Sequence, residues 1–505
     1  MAKFKINTKA FKELFTTIKK NIKSFLKKDY GRFKGYQLGI FIIVAVFIVL
    51  AIMIKGVNKQ IDYAIVVNND DTDLILLEKN NKSLEKGTKL SSSDLTSGVK
   101  YANKTARYIL FKKNNSLYLY DQKDGDETTK LVSNIDTYFF TPEDEYVVAT
   151  DTNDNLYSYH FKGDAEKIED DIDSLLSYSD KYVLYSKGSV LYLKELNYKK
   201  DKRIEISSKY HSQATITKDG KYVIYINKNN ELYRYKISNK KYEKIKKDVY
   251  LYSCTNDKCS NIVYRNLDRE LYYLKGNKNT KIDSDITLFQ KYEDQDYITY
   301  TTKEDNTYTL YYDKLGKDSV KVTTSDKILT PIIRNNYVYY VDNNGDLYVV
   351  KISGSKAKKP QKLLENTYSN LTVTKDGVLA VSDCEDNSST GTLYYIKGTK
   401  AKKVDTDVYA PDITVNITGK EFYYLTDYES LSGKLMLSKN GSKPKQIAKD
   451  IYSYTYINDN LLYYLKDFNS SKMYGDLYRY TGGKSLKISE QIKRLSNPPI
   501  NYKFK

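Results

Sequence analysis

The chain has 505 residues, 40% of them hydrophobic and 29% charged, and a formal net charge of +18. This apolar content is ample for a large core. Half of the charge lies in the first 36 residues, where eleven basic residues face two acidic ones. The rest is spread among abundant acids, which predicts a solvated surface with mild affinity for anionic polymers and not a specific anion-binding groove.

Residues 1–36 predict a basic cytoplasmic arm that contains an amphipathic helix. Apolar residues recur among its lysines at helical spacing, namely Phe4, Phe11, Leu14, Phe15, Ile18, Ile22, Phe25 and Leu26. This pattern suits a helix lying on the anionic lipid of the inner leaflet. A lysine-rich arm can also bind nucleic acid, but no nucleic-acid-binding fold accompanies it, so we expect no such partner. The remaining alternative is that the basic arm only sets the orientation of the chain in the membrane and has no further role.

Residues 37–55 predict a single transmembrane helix. No charged residue occurs from Gly35 to Ile54, and about 20 residues at helical rise span the hydrocarbon core of a bilayer. Because the basic residues precede this segment, the amino terminus is expected in the cytoplasm and the rest of the chain outside. The long charged region and the lack of a small-residue cleavage site favour an uncleaved signal anchor over a cleaved signal peptide. Residues 56–61 are a short linker.

The dipeptide Leu-Tyr then returns at intervals of 35 to 46 residues. Its copies begin at Leu117, Leu156, Leu191, Leu232, Leu271, Leu310, Leu347, Leu393 and Leu477, and Leu435-Met436 fills the one gap. Self-similarity with a period near 40 residues indicates a repeat architecture.

Each repeat consists of four short runs rich in Tyr, Val, Ile and Phe, separated by Asp, Asn, Gly and Pro, as in residues 136–172. Such runs predict β-strands, and apolar residues on both faces predict sheets sandwiched between neighbours. We therefore predict an all-β fold of β-propeller repeats, with about 40 residues per four-stranded blade and roughly ten to eleven units. A β-solenoid and stacked sandwiches are the alternatives.

Propellers usually have 4–8 blades, so the unit count favours two tandem propellers over one large ring. The predicted halves are residues 62–281 and 282–496, followed by a tail at residues 497–505.

The three cysteines allow one disulfide. Cys254 and Cys259 flank a four-residue turn between two strand-like runs, so they either form a disulfide or remain free thiols. Cys384 would be left over.

No motif predicts a catalytic, cofactor-binding or metal-binding residue. His160 and His211 are the only histidines and stand in different repeats, which leaves too few nitrogen ligands for a histidine-based zinc site. Asp-rich turns at residues 70–73, 121–126, 151–154 and 342–346 raise a calcium hypothesis, but ordinary turn chemistry accounts for them. The hydrolase serine elbow and the phosphate-binding loop are absent.

Two hairpins carry a family resemblance. YVIYINKNNELYRYKIS at Tyr222–Ser238 and YVYYVDNNGDLYVVKISG at Tyr337–Gly354 resemble the blade unit of YWTD-type and TolB-like bacterial propellers. More particularly, they resemble an uncharacterised family of bacterial membrane-anchored propeller proteins. The resemblance covers most of residues 62–490 and implies six blades and protein or ligand binding, with no catalytic residue to carry over. The chain has no Trp, so Tyr, Val or Ile must serve the inter-blade packing of that residue.

These observations predict a single-pass protein of the cell membrane with an extracellular propeller. Its expected role is non-catalytic binding or scaffolding of envelope proteins or polysaccharide, with membrane lipid as a partner of the helix and basic arm. An extracytoplasmic enzyme acting on glycans and a transmembrane sensor with a basic cytoplasmic arm are the alternatives.

Overall fold

The computed structural model describes residues 61–68, 73–92, 99–102, 104–123, 128–161, 165–196, 203–292, 295–384 and 389–500. The chain divides at residues 59/60 into two units, and every described residue belongs to the second. The predicted cytoplasmic arm, transmembrane helix and nearly all of the linker therefore lie outside the described residues. Within the described ranges, no helix is long and apolar enough to cross a membrane.

The described chain is a succession of antiparallel sheets, numbered here as blades 1 to 11. Blade 1 contains β1 (Tyr63–Asn68), β2 (Asp73–Glu78) and β3 (Thr88–Ser92), with a 3-10 turn at Leu84–Lys86. Blade 2 contains β4 (Lys100–Tyr101), β5 (Tyr108–Lys113), β6 (Ser116–Asp121) and β7 (Thr128–Val132). Blade 3 contains β8 (Ile135–Phe140), β9 (Tyr146–Asp151), β10 (Leu156–His160) and β11 (Ala165–Glu169). Blade 4 contains β12 (Ser174–Tyr178), β13 (Tyr182–Lys187), β14 (Val190–Glu195) and β15 (Ile204–Ser207).

The next four blades repeat this order. Blade 5 contains β16 (Tyr210–Ile216), β17 (Tyr222–Asn227), β18 (Leu232–Lys236) and β19 (Lys241–Lys246). Blade 6 contains β20 (Val249–Cys254), β21 (Asn261–Asn266), β22 (Leu271–Lys275) and β23 (Lys278–Asp283). Blade 7 contains β24 (Ile286–Lys291), β25 (Tyr297–Glu304), β26 (Thr307–Lys314) and β27 (Val320–Ser325). Blade 8 contains β28 (Ile332–Arg334), β29 (Tyr337–Val341), β30 (Leu347–Ser353), β31 (Lys356–Ala357) and β32 (Gln361–Leu364).

In the last three blades, long strands connect one sheet to the next. Blade 9 contains β33 (Thr372–Val373), β34 (Val378–Ser382), β35 (Thr390–Lys397) and the first part of β36 (Lys400–Val415). Blade 10 contains the rest of β36, then β37 (Glu421–Glu429), β38 (Ser432–Lys439) and the first part of β39 (Lys445–Asn458). Blade 11 contains the rest of β39, then β40 (Leu461–Asn469), β41 (Tyr474–Thr481) and the first part of β42 (Lys484–Leu495).

The final strand joins the two ends of the repeat series. β42 pairs with β41 along its first part, and its end pairs with β1 of blade 1, where Val66 lies opposite Leu495. Blade 1 therefore takes its first strand from the carboxyl end of the described chain. This hydrogen-bonded connection closes the series of sheets into a ring.

The hydrophobic clusters follow the same closed order. Each blade packs one face on the blade before it and the other on the blade after it, and a single cluster joins blades 11, 1 and 2. Four-stranded antiparallel sheets packed face to face in a closed order form a β-propeller. The predicted all-β fold with propeller blades is thus confirmed for the described residues.

Neighbouring blades pack in chain order among the described residues, and the division into two tandem propellers stays a prediction. The predicted boundary at residues 281/282 falls inside β23, and Ile282 packs there with Ile286 and Ile298 of blade 7. Ring size depends on small angles that accumulate between neighbouring sheets, and the repeat period does not report those angles.

The Leu-Tyr repeat has a physical explanation in the third strand of each blade. Leu271 of blade 6 is completely buried, and the Tyr272 ring stacks on Tyr264 of the second strand, with ring centroids 5.2 Å apart. Six further blades stack the residue after their repeat Leu in this way: Phe111–Tyr118, Tyr185–Tyr192, Tyr225–Tyr233, Tyr300–Tyr311, Tyr340–Tyr348 and Tyr464–Tyr478. Cross-strand aromatic pairs stabilise sheets, so these rings stabilise the pairing of the second and third strands within a blade.

The same dipeptide marks a β-bulge. The register between the third strand and its outer neighbour shifts between Leu271 and Tyr272. The same shift occurs at all the remaining copies of the repeat. A bulge increases strand twist. The Tyr272 hydroxyl donates to Glu270 of the preceding turn at 2.7 Å. Lys281 and this hydroxyl lower the pKa of Glu270 to about 2, so the carboxylate stays ionised and holds the turn.

Candidate functional site

Both ends of the described chain lie on one side of the ring, called here the entry face. The first strands of the blades end on this side and the second strands begin there. The Asn458 side chain, at the end of β39, donates to the backbone oxygen of Ile61 at 2.8 Å. The backbone N–H of Ser496, just after β42, donates to the backbone oxygen of Ile65 at 2.9 Å. Loops that join such strands are common positions for binding residues.

A cleft of about 400 Å³ opens on the entry face beside blades 2, 3 and 4. We call it the aromatic cleft, and its lining residues are Val99, Lys100, Tyr101, Phe139, Phe140, Tyr178, Asn497 and Pro499. Phe139, Phe140 and Tyr178 stand at the ends of β8 and β12. The volume lies in the range of ligand pockets, which combine apolar walls with a few polar groups.

Three side chains of the aromatic cleft form one stack. The Lys100 ammonium lies 4.3 Å from the ring centroid of Phe139, and the Phe139 ring stacks on Tyr178 with centroids 5.5 Å apart. The stack forms because the first strands of blades 2, 3 and 4 run side by side and their side chains point between the blades. A lysine over an aromatic face is attracted by the ring quadrupole, so the stack is preformed.

Of the residues that the structure describes, Lys100 is the only charged one that lines the aromatic cleft. Among the described residues it forms no ion pair or hydrogen bond, whereas its neighbour Lys112 donates to the backbone oxygens of Ile135 and Asp136 at 3.2 and 3.1 Å. Burial, with a smaller contribution from the charge of Lys112, lowers the pKa of Lys100. The cleft therefore contains a half-buried positive charge without a carboxylate to neutralise it.

The chain's own carboxyl-terminal segment forms one wall of the aromatic cleft. Thr455 of blade 11 donates from its hydroxyl to the Asn497 side chain at 2.5 Å, Pro498 is buried, and Ile500 packs on the cluster between blades 10 and 11. The predicted tail at residues 497–505 is thus an ordered part of the site as far as residue 500, the last residue described.

A second cleft, of about 410 Å³, lies on the entry face between blades 5, 6 and 7, and Cys254 and Cys259 form part of its wall. The structure joins these two cysteines by a disulfide with Cα atoms 4.7 Å apart, and it leaves Cys384 as a free thiol. The Gln213 amide already donates to and accepts from the backbone of Tyr252, both at 3.1 Å. Because its polar lining is largely paired within the protein, this cleft is the weaker candidate site.

The disulfide yields a stability prediction. Replacing both Cys254 and Cys259 by Ser should lower the free energy of unfolding by about 2 kcal/mol, since the bond closes a loop of only a few residues. Thermal unfolding with and without reductant measures the effect, and the Ser variant should not respond to reductant. Titration of the unreduced, denatured chain should find one free thiol, and three would contradict the pairing.

The other residues considered from sequence do not assemble into a site. The His160 ring lies 5.0 Å from the Tyr146 ring in blade 3, tilted against it, and His211 is exposed on the first strand of blade 5. Asp151 and Asp342 each accept two backbone N–H groups of their own turns, which is ordinary turn chemistry. The described ranges contain no group of three His, Cys, Asp or Glu residues that could hold a metal ion.

Sequence reasoning missed one titratable group. Asp412 lies half-buried in β36 at the first strand of blade 10, and burial raises its pKa to about 6. Tyr454 donates to its backbone oxygen at 3.0 Å. The only sequence signal is a single Asp after Pro411, which has no distinguishing pattern.

Asp412 predicts a pH-dependent stability. The native state binds this proton more tightly than the unfolded chain, so the free energy of unfolding falls as pH rises from about 4 to 6 and stays lowered above that range. Asp412→Asn should therefore stabilise the protein by about 1–3 kcal/mol at pH 8 and by almost nothing at pH 4. Denaturant unfolding at both pH values tests this, and an equal effect at both would contradict it.

No family model and no curated protein matches this chain. Among solved structures, it is similar to the tricorn protease at 12% identity, covering 86% of this chain and 47% of that one, with a TM-score of 0.30. It is also similar to the computationally designed Ika8 protein at 11% identity, covering 57% of this chain and 94% of that one, with a TM-score of 0.33. BamB from Moraxella catarrhalis is similar at 12% identity, covering 57% of this chain and 93% of that one, with a TM-score of 0.29. This chain spans about half the length of the tricorn protease chain, and at these TM-scores no activity or partner passes to it.

Proposed function

We propose that this protein is a non-catalytic binding protein of the cell envelope. In this proposal the segment at residues 37–55 anchors it in the membrane, and the propeller lies outside the cell, where it binds an envelope polysaccharide or protein. The observation that carries the proposal is the aromatic cleft, a preformed cavity of about 400 Å³ with ring-lined walls. Flat rings in a partly apolar cleft can stack on sugars or hold a peptide.

Cross-linking on intact cells tests this function. The full-length protein should capture one envelope component reproducibly, and Tyr178→Leu should weaken the capture by removing part of the ring stack. Tyr242→Leu is the matched control, because Tyr242 is 52% exposed on the outermost strand of blade 5 and does not line the cleft. Equal capture by both variants, or no specific capture, would count against the proposal. Protease treatment of intact cells tests the orientation, since a propeller protected until lysis would reverse it.

An extracytoplasmic enzyme acting on glycans is the second candidate function, and it would need a carboxyl group able to act as a general acid. A carboxyl group with a pKa near 6, such as that of Asp412, can serve as a general acid near neutral pH. Turnover of a glycan panel that is lost in Asp412→Asn, with the fold intact, would favour this enzyme. Turnover unchanged by that substitution would exclude Asp412 as the acid, and the absence of turnover would leave the binding function as the better account.

A further inference from the structure

We propose that the aromatic cleft binds an acidic polysaccharide, with the Lys100 ammonium pairing with an anionic group and the rings beside it contacting the sugar. This inference rests on the proposed binding function and adds the chemical class of the ligand. The juxtaposition that carries it is an unneutralised half-buried lysine on a stacked pair of aromatic rings inside one cavity.

The charge argument starts from the surroundings of Lys100. Twenty-two ion pairs occur among the described residues, and they neutralise lysines such as Lys89 and Lys281. With the described residues, Lys100 makes ring contacts alone, to Tyr138 at 5.2 Å and Phe139 at 4.3 Å. A partly desolvated cation without a counter-charge is costly, and an anionic ligand group would offset that cost.

The groups facing Lys100 from neighbouring elements are consistent with an anion. Lys112 on β5 adds a second positive charge that acts on Lys100, and the tail contributes neutral groups, Asn497 and Pro499. Asp136 on β8 is exposed and makes no ion pair with Lys100. The described lining of the cleft thus carries one positive charge and no carboxylate, although the propeller as a whole mixes acids and bases.

The rings select a sugar-bearing anion over a simple one. The Lys100 ammonium lies 4.3 Å from the ring centroid of Phe139, and that centroid lies 5.5 Å from the centroid of Tyr178. A polysaccharide can therefore place one sugar against the rings that line the cleft while an acidic group of the same polymer reaches the ammonium. A polyanion without rings gains only the charge contact.

Binding of the full-length protein in detergent micelles to polygalacturonate tests the inference. The methyl ester of polygalacturonate supplies the same sugar rings without charge, and polyglutamate supplies charge without sugar rings. A phosphate-linked glycan shows whether the cleft recognises phosphate as well as carboxylate. Lys100→Gln removes the charge but keeps the stem, and Lys100→Arg restores a cation. Lys130→Gln is the matched control, because Lys130 is an exposed residue on the outermost strand of the same blade. The basic arm is identical in all variants.

We expect an acidic glycan, carboxylated or phosphate-linked, to bind at least tenfold more tightly than the methyl ester or polyglutamate. Lys100→Gln should weaken this binding about tenfold, Lys100→Arg should largely restore it, and Lys130→Gln should leave it unchanged. Because the pKa of Lys100 is lowered, this lysine loses its charge at a lower pH than an ordinary lysine does. The affinity for the acidic glycan should therefore begin to fall at that lower alkaline pH.

Two results would overturn the inference and keep the proposed function. In the first, the methyl ester and the acid bind equally well and Tyr178→Leu still weakens the binding of both. In the second, the protein captures an envelope protein but binds no glycan. Equal loss of binding in Lys100→Gln and Lys130→Gln would also overturn it, since that result indicates a diffuse basic surface. If no glycan binds and no envelope component is captured, the proposed function fails as well.

Discussion

A chain that ends at Gly483 will lose the cooperative unfolding transition of the propeller. This truncation removes β42, which pairs with both β41 and β1 and contributes the buried side chains of Ile488 and Ile492 to the cluster shared by blades 11, 1 and 2. Burying two such side chains stabilises by about 4 kcal/mol, and the open strand edges add a further cost. This loss is comparable with the whole stability of many domains.

Thermal unfolding and limited proteolysis measure the effect. A chain that ends at Ser496 is the matched control, because it keeps β42 and the hydrogen bond from Ser496 to Ile65. The control should unfold cooperatively, and the shorter chain should be cleaved rapidly near its amino-terminal blade. Equal melting temperatures for the two truncations would contradict ring closure through β42.

Leu271→Ala should lower the free energy of unfolding by about 3 kcal/mol. Leu271 is fully buried and packs between blades 6 and 7, so the substitution leaves a cavity that the stacked Tyr272 ring cannot fill. The matched control is Leu267→Ala in the same blade, since Leu267 is 47% exposed. We expect that change to stay within about 0.5 kcal/mol.

Denaturant unfolding of the two variants supplies the measurement. The substitution Leu232→Ala should have an effect like that of Leu271→Ala, because Leu232 is equally buried at the matching position of blade 5. Similar small effects at Leu271 and Leu267 would show that the repeat leucine is not the core position of the blade.

Much of the fold could be predicted because its signals are local. The Leu-Tyr dipeptide recurs because a buried leucine and, in seven blades, a cross-strand ring stand at the bulge, and the two lie next to each other in sequence. The hairpin with Asn227 and Glu231 forms through contacts inside its own turn. The closeness of Cys254 and Cys259 follows in the same way from a short turn between two paired strands.

The candidate site could not be predicted, because its residues come from distant parts of the chain. Lys100, Phe139 and Tyr178 are separated by about one repeat each and carry no motif, and Asn497 reaches the same cleft from the other end. The pairing of the strand near residue 490 with the blade that begins at Tyr63 also joins distant parts of the chain. Strand content and blade length follow from short-range hydrogen bonding and side-chain alternation, and the number of units follows from the repeat count. The pairing of the two ends of the repeat series, the charge environment of Lys100 and the burial of Asp412 depend on packing between segments far apart in sequence, so only the tertiary structure determines them.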